Sequence, residues 1–209
     1  EIMPSLVGSE MCIRDSTYEA PGTTADAAAL AAQGGQYLAG GQSLLPSMRL
    51  RLARPEQIVD LNRVQGLAGI AVNGQTVEIR AMTRHADVAA NPQVQAAIPA
   101  LAELAGGIGD RQVRARGTIG GSLANNDPAA CYPSAVLGLG ATVVTDRREI
   151  AADDFFQGLF TTALEEGELI TAIRFPIPKR AVYEKLRQKA SHFPLVGVFL
   201  AQYDSGVRV

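Results

Sequence analysis

Ala39-Gly40-Gly41-Gln42-Ser43 and Thr118-Ile119-Gly120-Gly121-Ser122 are two glycine-serine segments of one chain, about 80 residues apart. Adjacent glycines let a backbone turn tightly and approach a ligand, and successive N–H groups offer donors to phosphate. A helix that starts at such a turn adds positive potential. Ser43, Thr118 and Ser122 supply hydroxyls at matching places, and Leu44 follows the first segment directly. Two such segments can meet across two subdomains and grip one diphosphate, unlike the single fingerprint of a doubly wound dinucleotide fold. Taken alone, each is more simply a strand-to-helix turn that needs positive φ.

Other nucleotide motifs fail on spacing or context. No G-x-x-x-x-G-K-[ST] occurs, and Gly138-Leu139-Gly140 precedes a strand candidate where the dinucleotide fingerprint must follow one. Neither glycine segment carries a lysine or arginine, so a bound phosphate would rely mainly on backbone donors. Arg111, Arg114 and Arg116 stand just before the second segment, either as long-range contributors or as a solvated basic stretch.

Outward from the first segment, Thr24–Gln33 reads as a helix opened by a capping threonine and stopped at Gly34-Gly35. Strands are expected at Gln36–Ala39 and Gln57–Leu61, with a helix or helical turn over Leu44–Leu50 between them, a βαβ-like unit. Gly69–Val72 and Thr76–Ala81 alternate around Asn73-Gly74, the dipeptide that favours a type I′ hairpin. Thr83 is expected to cap a short helix through Ala89, and Val94–Ala105 reads as one helical region. Beyond the second segment, Pro128–Leu139 reads as a helix, with strands at Ala141–Thr145, Arg148–Ala151 and Leu169–Phe175. The fold class is α+β, without regular βα alternation.

Pro176-Ile177-Pro178-Lys179-Arg180 marks the best boundary, followed by two strand-like runs between Tyr183 and Val209. Two strands do not make a stable unit, so the chain is expected to stop inside its last domain. At the other end, residues 1–16 lack the Ala-rich character that follows and resemble adaptor-derived translations at the ends of metagenomic gene fragments. They are expected to be a non-native leader, which makes Cys12 irrelevant. The expected organisation is a leader at 1–16, subdomains at 17–62 and 63–178, and the start of a truncated domain at 179–209.

Composition excludes several classes. With 19 basic against 21 acidic side chains, the chain has no broad footprint for nucleic acid or anionic lipid. No run of about 18 apolar residues is present, so no membrane span is expected. Cys12 and Cys131 form no ligand-spaced cluster, which argues against a metal centre in this chain and leaves a reducing cytoplasm as the default compartment.

The glycine segments, together with Arg51-Leu52-Ala53-Arg54-Pro55, Gly109-Asp110-Arg111-Gln112-Val113-Arg114 and the continuation Leu123-Ala124-Asn125-Asn126-Asp127-Pro128-Ala129-Ala130, carry a resemblance. From about Tyr18 to Val209 the chain resembles the medium, FAD-binding subunits of molybdenum hydroxylases, the carbon monoxide and xanthine dehydrogenase family. That resemblance implies a flavin domain of the vanillyl-alcohol oxidase (PCMH) type, with two α+β subdomains clasping FAD. It also implies an iron-sulfur small subunit and a molybdopterin large subunit as partners. Substrate chemistry would then lie on the molybdenum subunit, with electrons passing through the iron-sulfur clusters to FAD here and on to an acceptor. No catalytic residue is expected in this chain.

Carried over by position, Ala39, Gly40, Gly41, Gln42, Ser43 and Leu44, with Thr118, Ile119, Gly120, Gly121 and Ser122, would bind the diphosphate region. Ile108 would lie in a flavin-side loop, and Asp127 near the ribose or adenine end. Ile170 and Lys185 match further contact positions, and Lys185 is expected to act on the charge of the reduced ring. Many relatives have a sugar-binding aspartate where Cys131 stands; a thiol is a weaker partner, and Cys131 reads equally as a small buried hydrophobe. His85 and His192 lie outside the glycine segments and are expected at a helix start or the surface, so FAD is expected to be non-covalent. Tyr183 is read as packing before stacking, and Asp153-Asp154 with Glu165-Glu166 and Glu168 as solvated faces. Two rival readings are a stand-alone flavin oxidase, which would need its own substrate pocket and base, and a flavin-free scaffold of the same fold.

Overall fold

The computed structural model describes residues 16–209. The expected leader, Ser16 apart, lies outside the described residues, as does Cys12.

Three short strands open the chain: β1 (Thr17–Glu19), β2 (Gln36–Leu38) and β3 (Gln57–Asp60), paired in parallel in the order β1-β3-β2. Helix α1 (Thr24–Ala31) makes the first crossover; the cap is Thr23, one residue earlier than the sequence suggested, and its hydroxyl accepts from Asp26 N. Buried Ala27 packs with Val59, Leu61 and Leu67 in a small core. Helix α2 (Leu44–Arg49) leads from β2 towards β3. The expected βαβ arrangement is present, with β3 giving way at Leu61 to a 3-10 turn. All three residues of β1 are exposed, so it showed no buried alternation to read.

The second sheet is antiparallel, in the order β4-β5-β10-β6-β7. It comprises β4 (Ile70–Asn73), β5 (Thr76–Arg80), β6 (Thr142–Thr145), β7 (Glu149–Ala151) and β10 (Ile170–Pro176). The expected hairpin turns at Gly74, whose φ of 59° suits glycine. Helices on one face bury Leu101, Leu104, Ile119, Leu123, Tyr132 and Val136 against Val77, Ile79, Val143, Ile173 and Phe175. Each large side chain so buried contributes about 1.5–3 kcal/mol.

Several helix boundaries differ from expectation. Helix α3 (His85–Ala90) is preceded by Arg84 at the cap position, not Thr83. The Thr83 hydroxyl instead accepts from Gly69 N and donates to Gly69 O, both at 3.0 Å, which leaves it no cap to make. The region 94–105 is two helices, α4 (Pro92–Ala97) and α5 (Pro99–Gly106). The missing N–H and fixed φ of Pro99 break the run at Ile98. Helix α6 (Arg111–Arg116) was not anticipated. Helix α7 (Ile119–Asn125) places Gly120, Gly121 and Ser122 in its first turns, where the sequence suggested a loop. Helix α8 (Tyr132–Gly138) begins later than Pro128, because Asp127 holds the intervening residues in a turn through Ala129 N.

A third, antiparallel sheet closes the described chain: β11 (Arg180–Arg187), β12 (Pro194–Tyr203) and β13 (Gly206–Arg208). Its inner face seats Phe199 and Ala201 in the main core, with Tyr183 packed against it. Tyr183 lies 6.1 Å from the Phe199 ring, ring centroid to ring centroid. A short helix α9 (Ala152–Phe155) and a small hairpin, β8 (Phe156–Gly158) with β9 (Thr161–Thr162), complete the fold. Asn126 caps α7 at φ 41° and ties down that hairpin, its amide donating to Gly158 O and Thr161 O.

Candidate functional site

The two glycine segments meet. A Cβ built on Gly40 would stand 2.2 Å from Arg116 O and 2.8 Å from Gly117 Cα, so the backbones touch in a way only glycine allows. Helix α7 is pressed into the same junction: a Cβ on Gly120 would meet the Ala81 side chain at 2.6 Å, and one on Gly121 would meet Ala39 at 3.3 Å. Of the glycines at positions 40, 41, 120 and 121, only Gly41 has positive φ, 71°. The second pair therefore serves close approach, and the turn reading applies to the first segment alone.

Donor supply divides unequally between the segments. At the start of α7, Ile119 N donates to Thr83 O at 3.1 Å and Gly120 N to Ala81 O at 2.8 Å. Gly121 N is taken by Thr118 Oγ1 at 3.2 Å. Those three donors are spent on anchoring the helix. By contrast, the N–H groups of Gly40, Gly41, Gln42 and Ser43 have no hydrogen-bond partner among the described residues. Thr118 Oγ1 keeps its proton free to donate, and Ser122 Oγ has no partner among the described residues. The sequence assigned backbone donors to both segments; the structure leaves them to the first, with hydroxyls from the second.

A cleft of about 920 Å³ lies over this junction, lined by residues of the first and second sheets and by Pro194 of the third. That volume is near the top of the ~300–1,000 Å³ range of ligand sites. Ala39, Gly40, Gly41, Gln42, Ser43 and Leu44 line it from one side. Ile108, Thr118, Gly120, Gly121, Ser122, Asp127 and Ile170 line it from the other. Two expected residues are not brought to its wall. Ile119 is fully buried in the main core. Lys185 sits behind the wall, its ammonium donating to Gly107 O at 2.6 Å and His192 O at 3.0 Å. Asp127 spends Oδ1 on Ala129 N at 2.8 Å, leaving Oδ2 open. Cys131 lines the cleft, only 5% exposed.

Three further residues line the cleft: Tyr37, to which the sequence gave no site role, and His85 and Glu168, which it read otherwise. His85 is the first residue of α3 but buried, correcting the surface alternative; burial pushes its pKa down to about 4 and Arg114 adds to the shift. The neutral imidazole lies 5.3 Å from the Tyr132 ring, between centroids, and both His85 Nδ1 and Tyr132 Oη are buried without a partner among the described residues. Tyr37 spans the opposite end of the cleft, donating to Gly167 O at 2.9 Å, and burial lifts its phenol to about 12. Glu168 is buried, not on a solvated face. Its carboxylate takes Arg148 Nε and Nη2 at 3.0 and 2.9 Å, Glu165 N at 2.8 Å and Thr145 Oγ1 at 2.8 Å. The Arg148 bond chiefly holds its pKa down at about 2. This network fixes the 165–169 loop against the cleft. The local sequence did not signal it, because its side-chain partners, Arg148 and Thr145, stand 20 and 23 residues away.

Residues 13–178 match the family described as the FAD binding domain in molybdopterin dehydrogenase. This chain belongs to that family. Its cofactor is FAD, and the site suits it: N–H groups unpaired among the described residues line a cleft of ligand size and fit a diphosphate, and a side chain at Gly40 would force the junction beneath it apart. The carbon monoxide dehydrogenase medium chain of Hydrogenophaga pseudoflava is 42% identical over 199 residues, 90% of this chain and 69% of that protein. The glyceraldehyde dehydrogenase medium chain of Sulfolobus acidocaldarius is 39% identical over 170 residues, 78% of this chain and 60% of that protein. Among solved structures, carbon monoxide dehydrogenase from H. pseudoflava aligns with a TM-score of 0.85 and 42% identity, over 88% of this chain and 68% of that one. Quinoline 2-oxidoreductase from Pseudomonas putida 86 aligns with a TM-score of 0.85 and 31% identity, over 89% and 68%. The α+β flavin-domain expectation is thereby met. Among the described residues no helix is long and apolar enough to cross a membrane.

Proposed function

We propose that this chain is the FAD-holding, electron-transfer subunit of a molybdenum-containing hydroxylase or dehydrogenase, acting in the cytoplasm with an iron-sulfur small subunit and a molybdopterin large subunit. The observation that carries the reading is the junction of the two glycine segments under one cleft, with four N–H groups on one side and two hydroxyl protons on the other that have no partner among the described residues. The organisation proposed is a pair of FAD-clasping subdomains at 17–62 and 63–178, followed by the β11–β13 unit at 179–209.

Bound FAD would supply the redox chemistry; the chain supplies binding, orientation and electrostatics. Gly40, Gly41, Gln42 and Ser43 would donate N–H bonds to the diphosphate, with Ala39 and Leu44 flanking them. Thr118 and Ser122 would donate hydroxyl bonds, while Gly120 and Gly121 keep α7 close enough for those hydroxyls to reach. Asp127 Oδ2 would accept from the ribose, and Ile108 and Ile170 would line the apolar part of the cleft. Attachment is taken as non-covalent, since neither His85 nor His192 lies in a glycine segment.

The test is purification of the chain, alone and co-expressed with candidate partner subunits. The reading expects a flavin absorption spectrum, complete release of FAD by acid, and molybdenum and iron in the co-purified complex. Colourless protein would favour the flavin-free scaffold, and substrate turnover by the isolated chain would favour a stand-alone oxidase.

A further inference from the structure

His85 is 5% exposed, and it lines the cleft where the two glycine segments join. Backbone pairing fixes its position: His85 N donates to Gly117 O at 3.0 Å, Ile119 N donates to Thr83 O at 3.1 Å, and Arg84 bridges Thr118 between them. Residues 83–85 thus run antiparallel to 117–119, which sets the imidazole beside Gly117. A Cβ on Gly117 would stand 2.6 Å from His85 Nε2 and 2.9 Å from Cδ2, so the ring occupies the place of the missing side chain. Gly117 Cα is also what a Cβ on Gly40 would meet at 2.8 Å. Gly40, Gly117 and the imidazole therefore follow one another through the junction, and Thr118 with its hydroxyl comes next in the chain.

The two ring nitrogens differ in their surroundings. Nδ1 is sealed without a partner, whereas Nε2, also without one among the described residues, borders Gly117 at the cleft. A neutral imidazole has a single N–H. Sealing that N–H without an acceptor would forfeit its hydration, and orphaned N–H groups are rarer in native interiors than orphaned acceptors, so the proton belongs on Nε2. Among the described residues this N–H has no acceptor. No lysine or arginine lines the cleft, so a diphosphate there is held by neutral donors, and one more at this junction counts.

We propose that His85 is a cofactor-binding residue: a neutral imidazole whose Nε2–H donates to a phosphate oxygen of FAD where Gly40 meets Gly117. The inference rests on the reading of this chain as an FAD subunit, and it adds to the donors of that site one drawn from outside both glycine segments. It also accounts for glycine at position 117, where a side chain would displace the ring.

The experiment titrates FAD into the full chain at about pH 8, where an imidazole is neutral, for wild type, His85→Leu, His85→Asn and His85→Gln. It also records nitrogen–proton NMR spectra of the imidazoles in wild type with and without FAD. The chain has two histidines, so His192 serves as the internal reference. The side-chain amide nitrogen of glutamine can stand where Nε2 stands in histidine, and that of asparagine where Nδ1 stands. His85→Leu and His85→Asn are expected to bind FAD at least tenfold more weakly, as the loss of a bond to a charged oxygen implies. His85→Gln is expected to stay within about threefold of wild type. In wild type, FAD should move the His85 Nε2–H proton downfield while His192 stays in place. The spectra need no variant, so a substitution that fails to fold leaves the test standing. A folded His85→Leu protein with wild-type FAD affinity overturns the proposal. So does a His85 imidazole that FAD leaves unmoved, or one that carries its proton on Nδ1 in the complex. In those cases wild type still binds FAD and the functional reading survives, whereas wild-type protein that binds no FAD overturns both.

Discussion

At the scale of single residues, the site turns on groups whose chemistry is set by contacts far away in sequence. Gly40 announces itself as half of a Gly-Gly pair, but nothing local says that its neighbour is the carbonyl of Arg116. His85 is harder still. A histidine at a helix start is ordinarily solvated, and its burial arises because Val88, one turn on, faces the same core. That burial has a pH consequence. The folded pKa of about 4 lies below the ordinary value of 6.5, so the unfolded chain binds this proton more readily. His85 therefore costs nothing above pH 6.5 and destabilises the fold as pH falls from 6.5 towards 4. At 1.36 kcal/mol per pH unit, the full effect at pH 4 is about 3 kcal/mol. Thermal unfolding of wild type and His85→Leu across that interval checks it: the histidine contribution should vanish in the variant. Glu168 acts in a lower window, its stabilisation being lost as pH drops from 4.5 towards 2, so the two slopes are separable.

Among the elements, legibility followed local signals. The Asn73-Gly74 hairpin, the helix ended by Gly34-Gly35 and the strand ended by Pro176 were readable because turn chemistry or a chain stop marks them. Helix α6 was missed because its sequence, RQVRAR, buries no residue and so has no apolar stripe. Its one signal was Asp110, whose carboxylate caps Val113 N at 2.8 Å. The break at Pro99 was legible and was overridden by the Ala- and Leu-rich run around it. Neither the parallel order β1-β3-β2 nor the insertion of β10 between β5 and β6 has a local signature, since both depend on distant pairings. The outer face of β11 and β12 carries the cross-strand pairs Val182 with Leu200 and Leu186 with Val196, all exposed. Because Leu186 and Val196 are 63% and 58% exposed, the paired change Leu186→Glu with Val196→Lys should alter stability by no more than ~0.5 kcal/mol. It should also reduce apolar-dye binding to the purified chain. A large fall in melting temperature would mean that this face is packed in solution.

For the whole molecule, the central claim is that two segments remote in sequence make one cofactor clamp because their backbones touch at Gly40. The composition, with its near-balanced charge, only removed alternatives; the joint presence and order of both segments carried the positive reading. What no sequence argument supplied was the division of labour, with free N–H groups from one segment and hydroxyls from the other. A calorimetric titration of FAD into wild type, Gly40→Val and the control Gly22→Val tests the claim most directly, because a Cβ on Gly22 meets nothing within 4 Å. The account predicts one FAD per chain for wild type and for Gly22→Val, with affinities within about twofold, and binding weakened at least a hundredfold, about 2.7 kcal/mol, in a folded Gly40→Val protein. Equal FAD affinity in all three proteins would contradict it.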